Sequence, residues 1–160
     1  MDAFMDPFLL TLATTSVLRG LGAGIITGVE LITLPARRRM GVVRYAQFAR
    51  AHYKGQGVRA YAGITVLGAL LTIALSASAF LFSKPAAQTW AIVLSLLATF
   101  LAFVGTAQAF PAMRQLWQSS DGDEILLASQ LDRFARWGVF SATWHVVAFV
   151  ALIVALVAPR

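Results

Sequence analysis

The chain contains no cysteine and few charged residues, and both shortages narrow its chemistry. Without cysteine it forms no disulfide bond, no thiolate metal site and no thiol redox centre. Charged residues make up 12% of the sequence, against about 25% in an ordinary soluble domain. Apolar residues make up 59%, and the mean hydropathy is +0.75. These values favour a protein that lies in a membrane.

Four apolar stretches are each long enough to cross a bilayer, which takes about 20 helical residues. They cover approximately residues 8–34, 59–82, 87–113 and 137–158. Since a membrane-spanning backbone must satisfy its hydrogen bonds internally, the spans should be helices. Little sequence remains outside them. We therefore predict an all-α fold in which residues 1–160 form a single transmembrane domain, an integral membrane four-helix bundle.

Basic residues cluster in the two loops that follow spans one and three. The first loop carries Arg37, Arg38, Arg39, Arg44, Arg50 and Lys54, with Arg59 at its edge, and the second carries Arg114, Arg133 and Arg136. The opposite side has only Lys84 and Arg160. Because loops rich in lysine and arginine stay in the cytoplasm, we predict an inner (plasma) membrane protein with both termini outside and both long loops inside.

The net charge of +6 is compatible, by itself, with nucleic-acid binding. Most of the excess positive charge lies beside the spans, however, where it sets topology and attracts anionic lipid headgroups. We therefore predict membrane lipid as a partner and no nucleic acid.

Prolines and helical periodicity predict where the elements between the spans lie. Pro35 and Pro111 should end spans one and three, because proline interrupts helical hydrogen bonding. Val42–Tyr53 alternates apolar and polar residues at helical spacing, which predicts a short amphipathic interfacial helix in the first inner loop. Its apolar side would hold Val43, Ala46, Phe48, Ala49 and Tyr53. A short outer turn at Ser83–Pro85 makes spans two and three antiparallel neighbours.

Span one contains two ionisable residues, Arg19 and Glu30. A charge inside the bilayer costs about 2.5–3.5 kcal/mol or more, so such residues usually face the bundle interior and mark a functional site. The two are three helical turns plus about 20° apart and therefore share one face. We expect the whole polar stripe of this span to face inward: Ser16, Arg19, Ala23, Thr27 and Glu30.

Gly20, Gly24 and Gly28 form a second stripe on span one, at a four-residue spacing. Small residues at this spacing let another helix approach closely. Packing inside the bundle explains the stripe, and a contact in a homo-oligomer or a larger membrane complex is the alternative.

Each span also carries polar or aromatic residues near its inner end: Glu30, Tyr61, Gln108, Trp137 and Ser141. We expect them to converge on a pocket open to the inner leaflet. Apolar and aromatic walls with a few convergent polar groups suit a planar lipophilic ligand. The alternative for Glu30 is structural, an ion pair with Arg37, Arg59 or Arg136 that fixes loop geometry.

His145 is the only histidine within a span, and His52 lies in the first inner loop. Their different depths, and the absence of His-x-x-His or Glu-x-x-His spacing, predict no metal site and no cofactor. His145 is either a hydrogen-bonded core residue or a group that transfers protons or contacts a ligand. Glu30, His145 and Arg19 are therefore the catalytic candidates, with a structural role as the alternative for each.

Four short motifs follow one another along the chain: Glu30 with Pro35–Arg37, Tyr53–Gly55, Pro111, and Arg136–Gly138. The series resembles the anthrone-oxygenase-like family of small four-span membrane proteins. Fungal members of that family are linked to the oxidation of polyketide anthrones to anthraquinones with dioxygen. The resemblance implies a pocket for a planar aromatic or quinone-like molecule.

The sequence departs from this family shortly after Arg136–Gly138. Where the family has a histidine and then an arginine, this chain has Ser141 and Trp144, and His145 follows one residue later. Trp144 is added to the ligand-binding candidates. The resemblance implies either that this chain lacks the family histidine or that it uses His145 from a different helical face.

These observations lead to two hypotheses about function. In the first, the protein is a cofactor-independent oxygenase in which Glu30 accepts a proton and Arg19 or His145 stabilises developing negative charge. In the second, it is a non-enzymatic accessory subunit or lipid-binding module. A small proton-coupled exporter would also have four spans and a membrane glutamate, but the two inner loops, each over 20 residues long, fit that class badly.

Overall fold

The structure, a computed structural model, describes residues 6–54 and 56–159. These residues form the helices α1 (Pro7–Gly28), α2 (Leu34–Met40), α3 (Val42–Tyr53), α4 (Gln56–Leu81), α5 (Ala86–Gln118) and α6 (Glu124–Val157), with a π-helical segment at Val29–Thr33. The stretches long and apolar enough to cross a membrane are Pro7–Met40, Val58–Leu81, Ala86–Gln118 and Glu124–Val157. The predicted all-α, multi-pass membrane bundle is confirmed.

The four spans form a ring in which each one contacts its neighbours in sequence. α1 packs on α4, α4 on α5, α5 on α6, and α6 returns to α1. The contact between α5 and α6 is the most extensive, since Gly105 lets Phe140 and Ser141 approach the α5 backbone. The predicted tight turn joins α4 to α5 and is closed by a hydrogen bond from the Lys84 N–H to the Ala79 carbonyl (3.0 Å).

We call the end of the bundle that carries this turn the turn end. There the Asp6 carboxylate contacts both the start of α1 and the turn. Asp6 accepts a hydrogen bond from the Phe8 N–H (2.9 Å) and so caps α1. The Lys84 ammonium lies 3.5 Å from the Asp6 carboxylate and 4.5 Å from the centre of the Phe8 ring. Below them lies an apolar cluster of the spans: Leu12, Leu75, Ala79, Ala91, Ile92, Leu152 and Ala155.

Neither proline ends its helix, contrary to the prediction. The helical rod of span one continues through the π-helical segment Val29–Thr33 into α2, and Pro35 stands in the first turn of α2. Because the rod is continuous, Pro35 leaves a carbonyl group of the preceding turn without its N–H donor, and the π-helical segment lies directly before this position. The rod ends at Gly41, whose φ of 79° interrupts the helix. Pro111 lies inside α5, which runs on to Gln118 at the cost of one hydrogen bond.

The opposite end of the bundle, the loop end, is covered by α3, which has the predicted bounds. Its buried side chains pack with the ends of α5 and α6 in a second apolar cluster: Tyr45, Ala46, Ala49, Met113, Leu116, Leu127 and Leu131. Phe48 is 39% exposed instead of joining the apolar side. Arg50 donates to the carbonyl groups of Leu116 and Ser119 (2.8 Å each) and pairs with Asp121, so it ties α3 to the end of α5.

Arg19 is a buried polar side chain that is hydrogen-bonded to a neighbouring helix. Arg19 is 2% exposed, and both its Nε and Nη2 donate to the Thr72 hydroxyl oxygen on α4 (3.3 Å each). The hydroxyl of Thr72 donates in turn to the Gly68 carbonyl (2.7 Å). Gly68 also leaves room for the guanidinium, because a β-carbon there would lie 3.4 Å from Arg19. The predicted inward orientation of Arg19 is confirmed.

Replacement of Thr72 by valine should destabilise the protein by about 1–3 kcal/mol, because the buried guanidinium of Arg19 then loses its acceptor. Thr72→Ser keeps the hydroxyl and should lose much less. Thermal or denaturant unfolding of both variants in the same detergent measures the difference. Equal destabilisation by valine and serine would contradict a hydrogen-bonding role.

Acid should weaken the attachment of α3. Hydrogen bonds from Gln47 and then Arg50 hold the pKa of Asp121 below its ordinary value of 3.8. A carboxylate with a lowered pKa stabilises the fold above its ordinary pKa, and this contribution disappears as the pH falls through the lowered value. The unfolding midpoints of wild type and Asp121→Asn should therefore differ above pH 3.8 and converge in stronger acid.

Glu124→Gln, at the first residue of α6, is the control for this experiment. The Glu124 side chain makes no hydrogen bond or ion pair within the described part of the chain, so the variant should leave the attachment of α3 unchanged. If the Asp121→Asn and wild-type curves run parallel at all pH values, Asp121 does not carry the acid sensitivity.

Candidate functional site

An apolar cavity of about 520 Å³ lies within the loop-end half of the bundle. Its walls come from all four spans and from α3, and aromatic side chains form much of the surface. The cavity is lined by Ile25, Ile26, Val29, Glu30, His52, Tyr53, Val58, Ala60, Tyr61, Ile64, Thr106, Ala109, Phe110, Met113, Trp117, Phe134, Gly138 and Ser141. The volume falls within the range of about 300–1,000 Å³ that small-molecule sites occupy.

Glu30 is the only carboxylate that the described residues contribute to this wall, and one of its oxygens has no hydrogen-bond partner among them. It lies in the π-helical segment Val29–Thr33, a type of distortion that is frequent at functional sites. Its side chain is 8% exposed, and Oε2 has no hydrogen-bond partner among the residues that the structure describes. A buried carboxylate without a partner is costly, so a hydrogen-bond donor brought to this carboxyl group would stabilise it.

Gly138 on α6 has no side chain, and the Glu30 carboxyl group lies in the space that is left free there. A β-carbon at position 138 would overlap Oε1 of Glu30. The close approach of α6 to the π-helical segment therefore depends on a residue without a side chain.

Two hydrogen-bonded pairs of side chains provide further polar groups at the cavity. The Tyr61 hydroxyl on α4 lies 3.4 Å from Nε2 of the buried His145 on α6. The Thr106 hydroxyl on α5 lies 3.0 Å from that of Ser141, which donates to the Ala102 carbonyl at the same distance. The cavity therefore offers both donors and acceptors within an apolar wall.

Tyr53 of α3 and Trp117 near the end of α5 add two hydrogen-bond donors to the part of the wall near α3. Burial raises the pKa of the Tyr53 hydroxyl far above its ordinary value, and the nearby Tyr45, Glu30 and Tyr61 raise it further. Tyr53 therefore stays protonated at physiological pH. The indole N–H of Trp117 is buried and has no hydrogen-bond partner within the described residues.

Glu30 also lines a second, polar cleft of about 710 Å³. The other residues of this cleft come from the loop-end parts of α2, α3 and α6 and the link between α2 and α3: Pro35, Arg37, Arg38, Gly41, Val42, Asp132 and Ala135. Four of the eight lining residues are ionisable. One carboxylate thus borders both an apolar cavity and a charged cleft.

The structure brings some of the predicted site residues together and separates others. Glu30, Tyr61 and Ser141 lie on the cavity wall, and His145 reaches the wall through Tyr61. Arg19 lies deeper in the bundle, on Thr72. Gln108, Trp137 and Trp144 do not line the cavity.

Helical geometry explains the three residues that do not line the cavity. Gln108 is exposed, because α5 turns its Ala109 and Met113 side inward and Gln108 lies about 100° around the helix from Ala109. Trp137 and Trp144 pack on opposite sides of Phe140, with ring centres 5.6 and 6.2 Å away, on a different face of α6.

The predicted ion pair of Glu30 is absent from the described part of the chain. Arg37 instead pairs with Asp132 on α6 and donates to the Ala128 carbonyl (3.3 Å). Neither Arg59 nor Arg136 is in an ion pair within the described residues. In a straight α-helix Glu30 and Arg37 would share a face, but the extra residue in a π turn rotates the following residues by about 100°.

Sequence reasoning missed several residues of the wall, chiefly on α3 and beyond Pro111. Thr106, Ala109, Phe110, Met113 and Trp117 line one face of α5 at spacings of three and four. The sequence shows this spacing, but the predicted helix end at Pro111 excluded Met113 and Trp117 from it. Tyr53 belongs to a motif that the sequence does show, whereas nothing in the sequence indicated Gly138 as the neighbour of Glu30.

Among the described residues, no three histidine, aspartate or glutamate side chains come together in a way that would hold a metal ion. The fold and cavity define a multi-pass membrane helical bundle with a carboxylate on an apolar internal wall. Comparison with protein-family models, with characterised proteins and with solved structures found no match to this chain.

Replacement of Gly138 by alanine should destabilise the protein by about 1–3 kcal/mol, as overpacking does in tightly packed sites. The added methyl group would collide with the Glu30 carboxyl group. In a Glu30→Ala background that collision is gone, so the same substitution should cost much less. Unfolding of the two single variants and the double variant gives the coupling energy; additive effects would show that Glu30 does not lie against Gly138.

Proposed function

We propose that this protein binds a planar lipophilic aromatic molecule in the apolar cavity and oxidises it with dioxygen. The observation that carries the proposal is Oε2 of Glu30, a buried and unpartnered carboxylate oxygen on an otherwise apolar and aromatic wall. A ligand with an acidic proton would satisfy this atom, and the aromatic side chains would stack on its rings.

An anthrone-like substrate suits these groups, in line with the family resemblance of the sequence motifs. Its central ring carries a carbonyl group on one side and a methylene group on the other. Loss of a methylene proton gives an anion whose charge is shared by the carbonyl oxygen. Glu30 would accept that proton, and a hydroxyl or indole N–H of the wall would donate to the oxygen. Tyr53, Tyr61 and Trp117 supply such donors.

The reaction balances with dioxygen as the only co-reactant. The carbanion transfers an electron to dioxygen, and the resulting radicals combine to form a carbon–oxygen bond. Protonation by Glu30 gives a hydroperoxide. Loss of the second methylene proton with cleavage of the O–O bond then yields the new carbonyl group and one molecule of water.

His145 supports Tyr61 in this proposal and does not contact the substrate itself. The Tyr61 hydroxyl lies on the wall, and His145 is buried behind it at 3.4 Å. A hydrogen bond from Nε2 to the tyrosine oxygen would leave the tyrosine O–H free to donate into the cavity. Arg19, held by Thr72, adds positive charge deeper in the bundle.

We further propose that the protein lies in the inner (plasma) membrane with both long loops in the cytoplasm. The basic residues at the loop end of the bundle support this orientation. The cavity then opens towards the inner leaflet, from which a lipophilic substrate would enter.

A second candidate function is supported by the surface of α1. Gly20 packs against Phe149 of α6, but a β-carbon at Gly24 or Gly28 would meet open space. An accessory subunit or lipid-binding module would place a partner helix on these two glycines. A stoichiometric complex after mild detergent extraction, with no turnover by the isolated protein, would favour this function over the oxygenase.

Replacement of Glu30 by glutamine should lower the oxidation rate by about 10²–10⁴-fold, the usual contribution of a general base. Glutamine has nearly the same shape but cannot accept the proton. Oxygen uptake and product absorbance with anthrones or quinols, measured on purified protein in nanodiscs, test this expectation. Glu124→Gln, which removes an acid from the distant loop, should leave the rate unchanged.

The binding constant separates the catalytic role from a binding role. If Glu30→Gln keeps ligand affinity but loses turnover, the carboxylate acts in the reaction. An unchanged rate in the variant, or no oxidation of any substrate by the wild type, would exclude the oxygenase.

A further inference from the structure

Glu30 forms part of the wall of two different spaces. On one side is the apolar cavity of about 520 Å³, and on the other is the cleft of about 710 Å³ that contains Arg37, Arg38 and Asp132. Glu30 is the only residue that lines both of them within the described part of the chain. Its side chain is more than nine-tenths buried, and Oε2 is unpartnered.

The two spaces differ in what they can hold. The cavity is lined mainly by aliphatic and aromatic side chains, which favour an apolar ligand and exclude water. The cleft is bordered by the exposed Arg38 and Asp132 and by the exposed backbone of Gly41, so water reaches it. A proton that leaves a ligand in the cavity therefore has few polar groups to accept it there.

Other ionisable groups surround the carboxylate but do not join the two spaces. The groups on the cavity side are His52 and Tyr53 of α3 and Tyr61 of α4, and those on the cleft side are Arg37 and Arg38 of α2 and Asp132 of α6. None of these lines both spaces. α5 contributes no ionisable residue to either wall.

We propose that Glu30 is a two-sided proton-transfer site, which takes up a proton from the apolar cavity and releases it to water in the charged cleft. In the first step the carboxylate and a ligand X–H become the carboxylic acid and X⁻. In the second step a proton that is not returned to the ligand passes from the acid to water in the cleft, which restores the carboxylate and forms a hydronium ion. No oxidant or reductant takes part.

The π-helical segment makes this position usable from both sides. It directs Glu30 between α1 and α6, over the backbone of Gly138, while Arg37 is rotated away to Asp132. Arg37 therefore does not hold the carboxylate in a fixed ion pair. The use of this route in catalysis rests on the proposed oxidation, but two-sided access to Glu30 does not.

Two carbodiimides of opposite solubility test the proposal without any substrate. A carbodiimide adds the O–H of a protonated carboxylic acid across its C=N bond, and the adduct rearranges to a stable acylurea that peptide mass spectrometry detects. Dicyclohexylcarbodiimide dissolves in the bilayer and would enter the cavity, whereas a cationic, water-soluble carbodiimide would enter the cleft. High salt screens repulsion of the cationic reagent by Arg37 and Arg38.

Each reagent alone should modify Glu30 in protein held in nanodiscs, and modification by one should block the other. Asp132 lies in the same cleft with a side chain that is 65% exposed, so its modification shows that the soluble reagent has entered. Glu30→Gln should lose only the modification at position 30. If Asp132 reacts and Glu30 does not, or if Glu30 reacts with one reagent only, the proposal is overturned.

A matched pair of variants checks the two routes separately. Ala135 lines the cleft and Ala60 lines the cavity, and both side chains are at least partly accessible. Ala135→Trp should reduce labelling of Glu30 several-fold with the soluble reagent only, and Ala60→Trp with the lipophilic reagent only. Equal reduction of both reactions in either variant would show a single shared entrance and overturn the proposal.

Discussion

The structure depends on one constraint, which is that a polar side chain between membrane helices has only protein groups as partners. Most of the buried hydroxyls meet this constraint within their own helix by donating to the carbonyl group four residues earlier, as Ser16, Ser76 and Thr99 do. Arg19 meets it in part across the α1–α4 contact: Nε and Nη2 donate to Thr72, whereas Nη1 has no partner among the described residues. The exceptions are therefore informative, because they are costly in this environment.

Glu30 and Trp117 are exceptions that line the same cavity. One is an acceptor and the other a donor, so together they match a ligand that carries both an acidic proton and an acceptor atom. Other unpartnered atoms, such as the Thr65 hydroxyl, lie outside this wall. Imperfect packing would leave a void with apolar walls only. This cavity has in addition one unpartnered acceptor and one unpartnered donor, which is the pattern of a binding site.

Small residues determine how closely the helices approach. Gly105 admits the side of α6 to α5, Gly20 admits Phe149 to α1, and Gly138 admits the Glu30 carboxyl group to α6. The first two contacts are apolar and bring spans together along their length. In the third contact the Glu30 carboxyl group occupies the space that a side chain at position 138 would fill. Glycine residues therefore both pack the bundle and shape its candidate site.

Much of the architecture was predictable from the sequence, because hydropathy, turn residues and periodicity act locally. The spans, the helix Val42–Tyr53 and the inward orientation of Arg19 and Glu30 follow from such patterns. The continuation of the helices past Pro35 and Pro111 does not, since a proline pattern cannot reveal a π turn or a tolerated missing hydrogen bond. The unrecognised π turn also led to the wrong predicted partner for Arg37, because this turn rotates Arg37 away from Glu30.

The size and full lining of the cavity lie beyond such reasoning, because they depend on how far four helices diverge. Glu30, Tyr61 and Ser141 were expected on its wall and are there, but Gln108 has the wrong angular position on α5. Trp117 and Gly138 come into position only through tertiary packing.

The last helix has a mechanical consequence. α6 contains 34 residues and is thus about 51 Å long, whereas the hydrocarbon core of a bilayer is about 30 Å thick. α6 is therefore about 20 Å longer than that core is thick, and it runs without a break past both Asp132 and Gly138. Any force or crowding that tilts the part of α6 around Asp132 is transmitted, with little bending, to the floor beneath the Glu30 carboxyl group.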